Sequence, residues 1–361
     1  MPVWWRRFNK LHLLELLTVM KMSKNSKSII TFVAVFVLFM SAYIYLYFWQ
    51  IGRPVVAEWW LKNTIEKKEL LSDSTPGPRI VIISGSNSLF GISGDVIEKK
   101  TGMKVVNLAL HASLDIDYLA YILRRNIRSG DIVIAPLEYE YYRRDGTPTT
   151  WFITNMLGWG GEYVKSRNIY DQVRLITFTN KDRVIEGILT GGDLKYAPLE
   201  EVIATTPASD FEYKKYLYSS MDRYGSMQMS YYDQGMLVRM ERQQDKYEVM
   251  LSYGKKDLSF TDYARSGISK LKNITEASGG TFFVTWPASI KTKFFNRDDQ
   301  QAIAFTKSIK ENLESMHVHV LCDPFYANLD FKMFSDTIYH LNRTGSVIRS
   351  ERLAECLVNR K

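Results

Sequence analysis

Arg79-Ile-Val-Ile-Ile-Ser-Gly-Ser-Asn-Ser-Leu-Phe-Gly91 is the stretch that decides the fold. Ile80 to Ile83 form a short unbroken β-branched run, the pattern of a strand buried on both faces, and a turn of small residues follows it. Similar runs return at Lys104–Leu110, Asp131–Ala135, Thr281–Trp286 and His317–Cys322. Between them the apolar spacing predicts helices over 94–100, 115–128, 261–278 and 298–316, with a last one over 347–358. Strands alternating with helices argue an α/β domain whose parallel sheet is covered on both faces. No period of 20 to 50 residues repeats, which excludes solenoids and propellers.

The rhythm breaks between 147 and 259. That interval is dense in aromatics (Trp151, Phe152, Trp159, Tyr163, Tyr213, Tyr216, Tyr218, Tyr224, Tyr231, Tyr232) and reads as a large, mostly helical insertion over one mouth of the sheet. Its rings serve as core or as flat faces of a groove for an extended polymer.

Upstream of the domain, no charge occurs between Lys27 and Arg53, and the stretch ends in Tyr43, Tyr45, Tyr47, Phe48 and Trp49. An uncharged helix of that length crosses the ~30 Å hydrocarbon layer, and aromatics at its end suit the interfacial belt. The predicted organisation is a basic cytoplasmic tail (1–27), a transmembrane helix (28–52), a linker with a polar helix from Glu58 to Ser72 (53–78), and the domain (79–361). Arg6, Arg7, Lys10, Lys21, Lys24 and Lys27 against Glu15 give the tail +5 of the formal +8. The body is therefore nearly balanced, which argues against a nucleic-acid face and, by the positive-inside rule, places the domain outside the cytoplasm. A cleaved signal peptide with Val55 and Ala57 near its cut site is the competing reading. The segment with Trp4, Trp5, Phe8, Leu11, Leu14 and Leu17 reads either as an interfacial helix or as untranslated, with the start at Met20 or Met22.

Five His and two Cys without a Cys-x-x-Cys exclude a zinc ribbon, and no metal or other cofactor is expected. An oxidising compartment permits a Cys322–Cys356 bridge if the Cα atoms come within ~7 Å, and the sequence leaves this open.

Three places carry chemistry. Ser84–Gly91 follows the first strand, where open α/β sheets hold their ligands, and Ser86 stands where a nucleophile would. It lacks the spacing of a phosphate loop. Phe334-Ser-Asp-Thr-Ile-Tyr-His-Leu-Asn-Arg-Thr-Gly345 supplies a base and its acid partner, Asp336 and His340, four residues apart, although a His in front of a helix also serves as a cap. Gly130–Tyr142 ends a buried strand in a polar aromatic cluster with Glu138 and Tyr139. His317 and His319 alternate on a strand and read as packing or edge residues.

Taken in order, these segments resemble the SGNH (GDSL-like) hydrolase superfamily over roughly 79–145 and 281–358. Ser84-Gly-Ser-Asn-Ser-Leu-Phe-Gly91 is similar to the first block, with Ser86 as nucleophile and Gly85 in place of an Asp. Val105-Val-Asn-Leu-Ala-Leu-His-Ala-Ser113 is similar to the second, with Ala112 or Ser113 where a glycine lends an oxyanion N–H. The third block's Asn falls near 137–139 and is absent. Asp336–His340 is similar to the last block at a spacing of four where three is usual. The resemblance implies a flavodoxin-like three-layer sheet and a Ser86–His340–Asp336 triad. The oxyanion would be held by the N–H of Ser86 with that of Ala112 or Ser113, and substrate by Asn87, Asn107, Glu138 and Tyr139. It also implies a protein of the bacterial plasma membrane, acting outside the cytoplasm on O-acyl, chiefly O-acetyl, groups of a surface polysaccharide by transfer or hydrolysis. The alternative is a catalytically silent polysaccharide-binding or assembly partner of a membrane acyltransferase or polymer synthase.

Overall fold

The computed structural model describes residues 24–53, 57–189, 221–229 and 260–360. The readings of the tail before residue 24, and of the insertion over 190–220 and 230–259, lie outside the described residues.

Helix α1 (Lys24–Trp49) holds a 25-residue stretch, Asn25–Trp49, long and apolar enough to cross a membrane. Its apolar side chains from Ile29 to Met40 are exposed, as befits a lipid-facing helix rather than a core one. Next come α2 (Trp59–Ser74), β1 (Arg79–Ile82), α3 (Ser86–Leu89), α4 (Gly94–Thr101), β2 (Lys104–Asn107), α5 (Ile116–Asn126) and β3 (Ile132–Pro136). The described part of the insertion holds α6 (Thr150–Gly158), α7 (Gly161–Ser166), α8 (Ile169–Phe178) and α9 (Lys181–Leu189). After it come α10 (Asp262–Ala277), β4 (Thr281–Thr285), β5 (Ser289–Ile290), α11 (Gln300–Ser315), β6 (His319–Val320), β7 (Asn328–Leu329) and α12 (Arg343–Val358).

Five strands form one parallel sheet in the order β2-β1-β3-β4-β6. The β-branched runs explain who sits in the middle. Every residue of β1 and of β3 is buried, whereas β2 opens on exposed Lys104 and the edge strand β6 is only two residues long. His317 and Cys322 have φ of 55° and 65°, so the backbone leaves the extended region on both sides of that pair. His319 is exposed and its ring lies 6.1 Å from that of Phe283, an edge residue as expected. Helix α5 packs with α10, and α4 with α12, as right-handed crossovers on two sides of the sheet require. The order reverses between β1 and β3, and the turn carrying Ser86 emerges at that switch point.

Helix ends follow side-chain chemistry. Thr261, Asp299 and Asn342 each accept the N–H three residues on, from Ala264, Ala302 and Gly345. The last of these starts α12 four residues before the predicted Val347, and it makes Asn342, not His340, the cap.

Two charged groups are buried where the chain enters the sheet. Arg79 and Asp131 are fully buried and paired, Nη2 to Oδ2, at 2.7 Å. The guanidinium also donates to Ser72 O, Ser72 Oγ and Asn126 O, and Asp131 Oδ1 accepts the Arg79 amide. Cys322 and Cys356 are bridged, with Cα atoms 5.5 Å apart, tying the end of the β6 segment to α12.

Within 53–78, expected as a linker, α2 buries Trp59, Trp60, Leu61, Ile65 and Lys68 and packs against β2 and α5. It is part of the domain rather than a spacer. The Lys68 ammonium donates to Asn107 O and Gly225 O. Burial pushes it down to about 7, with the Asp222 carboxylate pulling the other way. The unfolded chain therefore binds one more proton than the folded one between pH 7 and ~10, so folding stability rises with pH through that window and the cost is greatest below pH 7. The expected slope is at most about 1.4 kcal/mol per pH unit. Denaturant titrations at pH 7 and 9 check this, and Lys68→Met should flatten the difference.

Candidate functional site

The turn after β1 begins with Gly85 as the N-cap of α3, a single turn in which Ser86, Asn87, Ser88 and Leu89 are all buried. Two charged side chains from distant parts of the chain hold it. Glu138, two residues past β3, accepts the Asn87 N–H on Oε1 at 2.9 Å and the Gly85 N–H on Oε2 at 3.3 Å. Arg349 of α12, wholly buried, donates to Asn87 O at 2.8 Å and to Asn87 Oδ1 at 2.7 Å. The backbone around Ser86 is thus held between a carboxylate and a guanidinium, at the cost of burying two ions.

The same clamp leaves no room for a side chain at Gly85. A Cβ at Gly85 would lie 2.4 Å from Glu138 Oε1 and 2.7 Å from Ala112 Cα. No side chain fits at 85 while Glu138 stands where it does. These contacts also bring the ends of β1, β2 and β3 together. Gly91 closes the turn, since a Cβ there would lie 2.2 Å from Asn87 O.

The segment before α12 folds back on itself. Phe334 and Leu341 bridge in antiparallel fashion, the Ser335 N–H donates to His340 O at 2.8 Å, and Thr337 Oγ1 accepts the His340 N–H at 3.1 Å. This turn brings His340 Nδ1 to 2.8 Å from Asp336 Oδ1, with both residues buried. A carboxylate on Nδ1 holds the proton there and leaves Nε2 as the basic nitrogen. The His340 ring packs at 4.3 Å on Phe90, whose N–H donates to Ser86 O. Asp336 and His340 are therefore brought together, and Phe90 joins them to the Ser86 turn. The neighbouring Tyr339 hydroxyl donates to Glu140 Oε2 at 3.0 Å, tying the last segment to the loop after β3.

The oxyanion candidates are sorted by their neighbours. The Ser113 N–H is spent on His111 Nδ1 at 3.1 Å, which leaves the Ser86 and Ala112 amides as the candidate donors. Arg144 grips this loop from the far side, donating to Leu114 O at 2.8 Å and to Ala112 O.

The substrate-contact candidates Asn87, Asn107, Glu138 and Tyr139 are all buried. Asn87 is fully buried and donates to Ser84 Oγ and Pro136 O. Asn107, also fully buried, donates to Ser88 O and Ser226 Oγ and accepts the Ala109 N–H. Glu138 is 1% exposed, and Tyr139 packs its ring against Phe295 and Phe305. Asn87, Asn107 and Glu138 thus spend their polar atoms on the backbone and side chains around the turn, and Tyr139 packs by its ring.

His111 was visible in the second block but drew no role from the sequence. Its ring stacks on Trp151 at 4.5 Å and meets Trp60 edge-on at 6.4 Å. Burial pushes it down to about 4, helped by the charges of His340 and Arg144. It is thus neutral at working pH and, with Nδ1 accepting from Ser113, carries its proton on Nε2. Unlike Asn87, His111 and Ala112 are only half-buried. Arg349 carries no sequence signal of its own, since one Arg in a helix reads as solvated.

No protein-family model matches the chain, and neither a curated protein nor a solved structure is significantly similar to it. The site has to be read from its own geometry.

Proposed function

We propose that this is a membrane-anchored, SGNH-like protein that acts outside the cytoplasm on O-acyl, chiefly O-acetyl, groups of a surface polysaccharide. Ser86 attacks the acyl carbon, His340 Nε2 takes the hydroxyl proton, and Asp336 orients the imidazole and stabilises its charged form. The Ser86 and Ala112 amides face the developing oxyanion. His340 passes that proton to the departing alcohol as its bond to the acyl carbon breaks, and water or a sugar hydroxyl then attacks the acyl-Ser86 ester, giving its proton to His340, which returns it to Ser86 Oγ as the acyl group leaves. The observation that carries this reading is the buried Asp336–His340 pair at 2.8 Å, joined through Phe90 to a rigid serine turn at the carboxyl end of a parallel sheet. Labelling of the full-length protein in detergent by a fluorophosphonate tests it. The wild type is expected to label and Ser86→Ala to remain blank.

One observation favours the catalytically silent alternative. Glu138 puts a carboxylate against the amides on either side of Ser86, where negative charge would build up in an acyl transfer. Arg349 supplies the opposing charge from the other side of Asn87, so the turn need not be silent, but the reaction should be slow. A wild-type protein that stays unlabelled selects this alternative.

The proposed orientation rests on the basic residues ahead of α1, and it is in keeping with the Cys322–Cys356 bridge, which an oxidising compartment sustains. A reporter active only outside the cytoplasm is expected to work when fused after Lys361 and to fail when fused after Ser28.

A further inference from the structure

Large apolar side chains that face solvent are few outside α1, and their distribution is uneven. Among the described residues beyond Trp49 they are Leu70, Val358 and six on two consecutive helices: Ile169, Tyr170, Val173 and Phe178 of α8 with Ile185 and Leu189 of α9. Ile169, Tyr170 and Leu189 are each more than 70% exposed. On α8, Ile169, Tyr170 and Val173 fall within one face of a 3.6-residue period, and on α9 Ile185 and Leu189 are one turn apart. A soluble domain has no reason to gather its exposed apolar groups in this way.

The same two helices are also where α1 meets the domain. Tyr47, in the last turn of α1, is 1% exposed, and its hydroxyl lies 3.2 Å from Thr179 Oγ1 in the connection between α8 and α9. Gln50 is fully buried, and its side chain lies so close to α9 that a Cβ at Gly187 would come within 2.1 Å of Gln50 Oε1. The Gly52 N–H donates to Leu157 O of α6 at 2.9 Å, and a Cβ at Gly161 would lie 2.8 Å from Ile51 Cγ2. The end of the apolar span is thus held at a fixed height against these helices, and Arg53 stacked 3.5 Å from the Trp49 ring marks the polar boundary. Helices that touch an apolar span at its last turn lie within about 5 Å of the hydrocarbon edge.

We propose that α8 and α9 form a membrane seat: their exposed apolar side chains dip into the outer interface of the same bilayer that α1 crosses, so that the domain is held in one orientation instead of swinging on a tether. The seat rests on the reading of α1 as a transmembrane helix. Its occupant is lipid, because the patch lies on helices held against the end of the lipid-facing span and carries aromatic Tyr170 and Phe178 next to basic Arg174 and Lys181, an interfacial mix. Asp171 on the same helix is paired with Arg167 and does not oppose insertion.

The test uses the full chain in phosphatidylcholine nanodiscs. The two native cysteines are bridged, so a single added cysteine carries an environment-sensitive fluorophore. Val173→Cys and Leu189→Cys report the seat, Phe36→Cys the middle of α1, and Lys307→Cys on α11 a solvated face. Doxyl-labelled lipid is expected to quench the two seat positions about twofold or more relative to Lys307→Cys, with a blue-shifted emission. Quenching at Phe36→Cys alone overturns the seat and keeps the span. No quenching at Phe36→Cys overturns both. Seat positions that are blue-shifted equally in detergent and nanodiscs, yet unquenched by lipid, are covered by another part of this chain or by a second copy, and that also overturns the proposal.

Discussion

His340→Ala is expected to slow fluorophosphonate labelling of Ser86 by about 100- to 10,000-fold while leaving the melting temperature within a few degrees of wild type. The size follows from what a positioned base does for a hydroxyl that is otherwise almost wholly protonated at neutral pH. Asp336→Asn is the sharper variant. The native carboxylate accepts the Nδ1 proton at 2.8 Å and so keeps Nε2 basic. An amide presents either a donor or an acceptor to Nδ1, and when its NH2 faces the ring the proton moves to Nε2 and the base is lost. A comparable loss of rate in Asp336→Asn, with thermal stability kept, points to catalysis. A merely structural pair would show the reverse, a lower melting temperature with the labelling rate per folded molecule unchanged. Phe90, packed at 4.3 Å on the His340 ring, provides a graded control, since Phe90→Leu should loosen the imidazole and slow labelling by less than removal of the base does.

The strands were legible because burial on both faces leaves a compositional trace. Ile80–Ile83 and Ile132–Ala135 are continuous apolar runs, and they occupy the centre of the sheet in parallel register, Ile80 opposite Ile132 and Val81 opposite Val133. The span was legible for a similar reason, as a long stretch without charge. The Asp336–His340 contact was legible as well, because an acid and a histidine four residues apart can fold back on each other as a turn. What holds the Ser86 turn could not be named. The Arg349 contact to Asn87 joins positions 262 apart, and no local pattern separates a buried arginine from a solvated one. Lys68 misleads in the same way, since a lysine in a charged helix reads as solvent-facing and here it is sealed between two carbonyls. In α8 the error would run in the opposite direction: Ile169 and Val173 have the spacing of a core face, yet they look outward. Periodicity identifies a face but not the medium it meets.

The largest loss of stability is expected at the opposite end of the sheet from Ser86, at Arg79 and Asp131. Arg79→Met leaves the Asp131 carboxylate wholly buried without its countercharge, retaining only the Arg79 and Arg128 backbone N–H groups as donors. Breaking one side of such a pair costs about 3 to 5 kcal/mol, a fall in melting temperature on the order of 10 °C for a domain of this size. Asp131→Leu should be comparably harmful, because it strands the guanidinium with three acceptors, Ser72 O, Ser72 Oγ and Asn126 O, and no anion. The double variant decides whether charge or shape carries the effect. If the penalty is the unpaired ion, Arg79→Met with Asp131→Leu recovers most of the loss, since a buried ion pair is itself barely stabilising relative to an apolar pair of similar volume. If the losses simply add, the pair is needed for its hydrogen bonds to α2 and α5, and the junction between α2 and the sheet depends on them. In either case the labelling rate of the folded fraction should stay at the wild-type value, because β1 carries Arg79 at its start and delivers Ser86 beyond its other end.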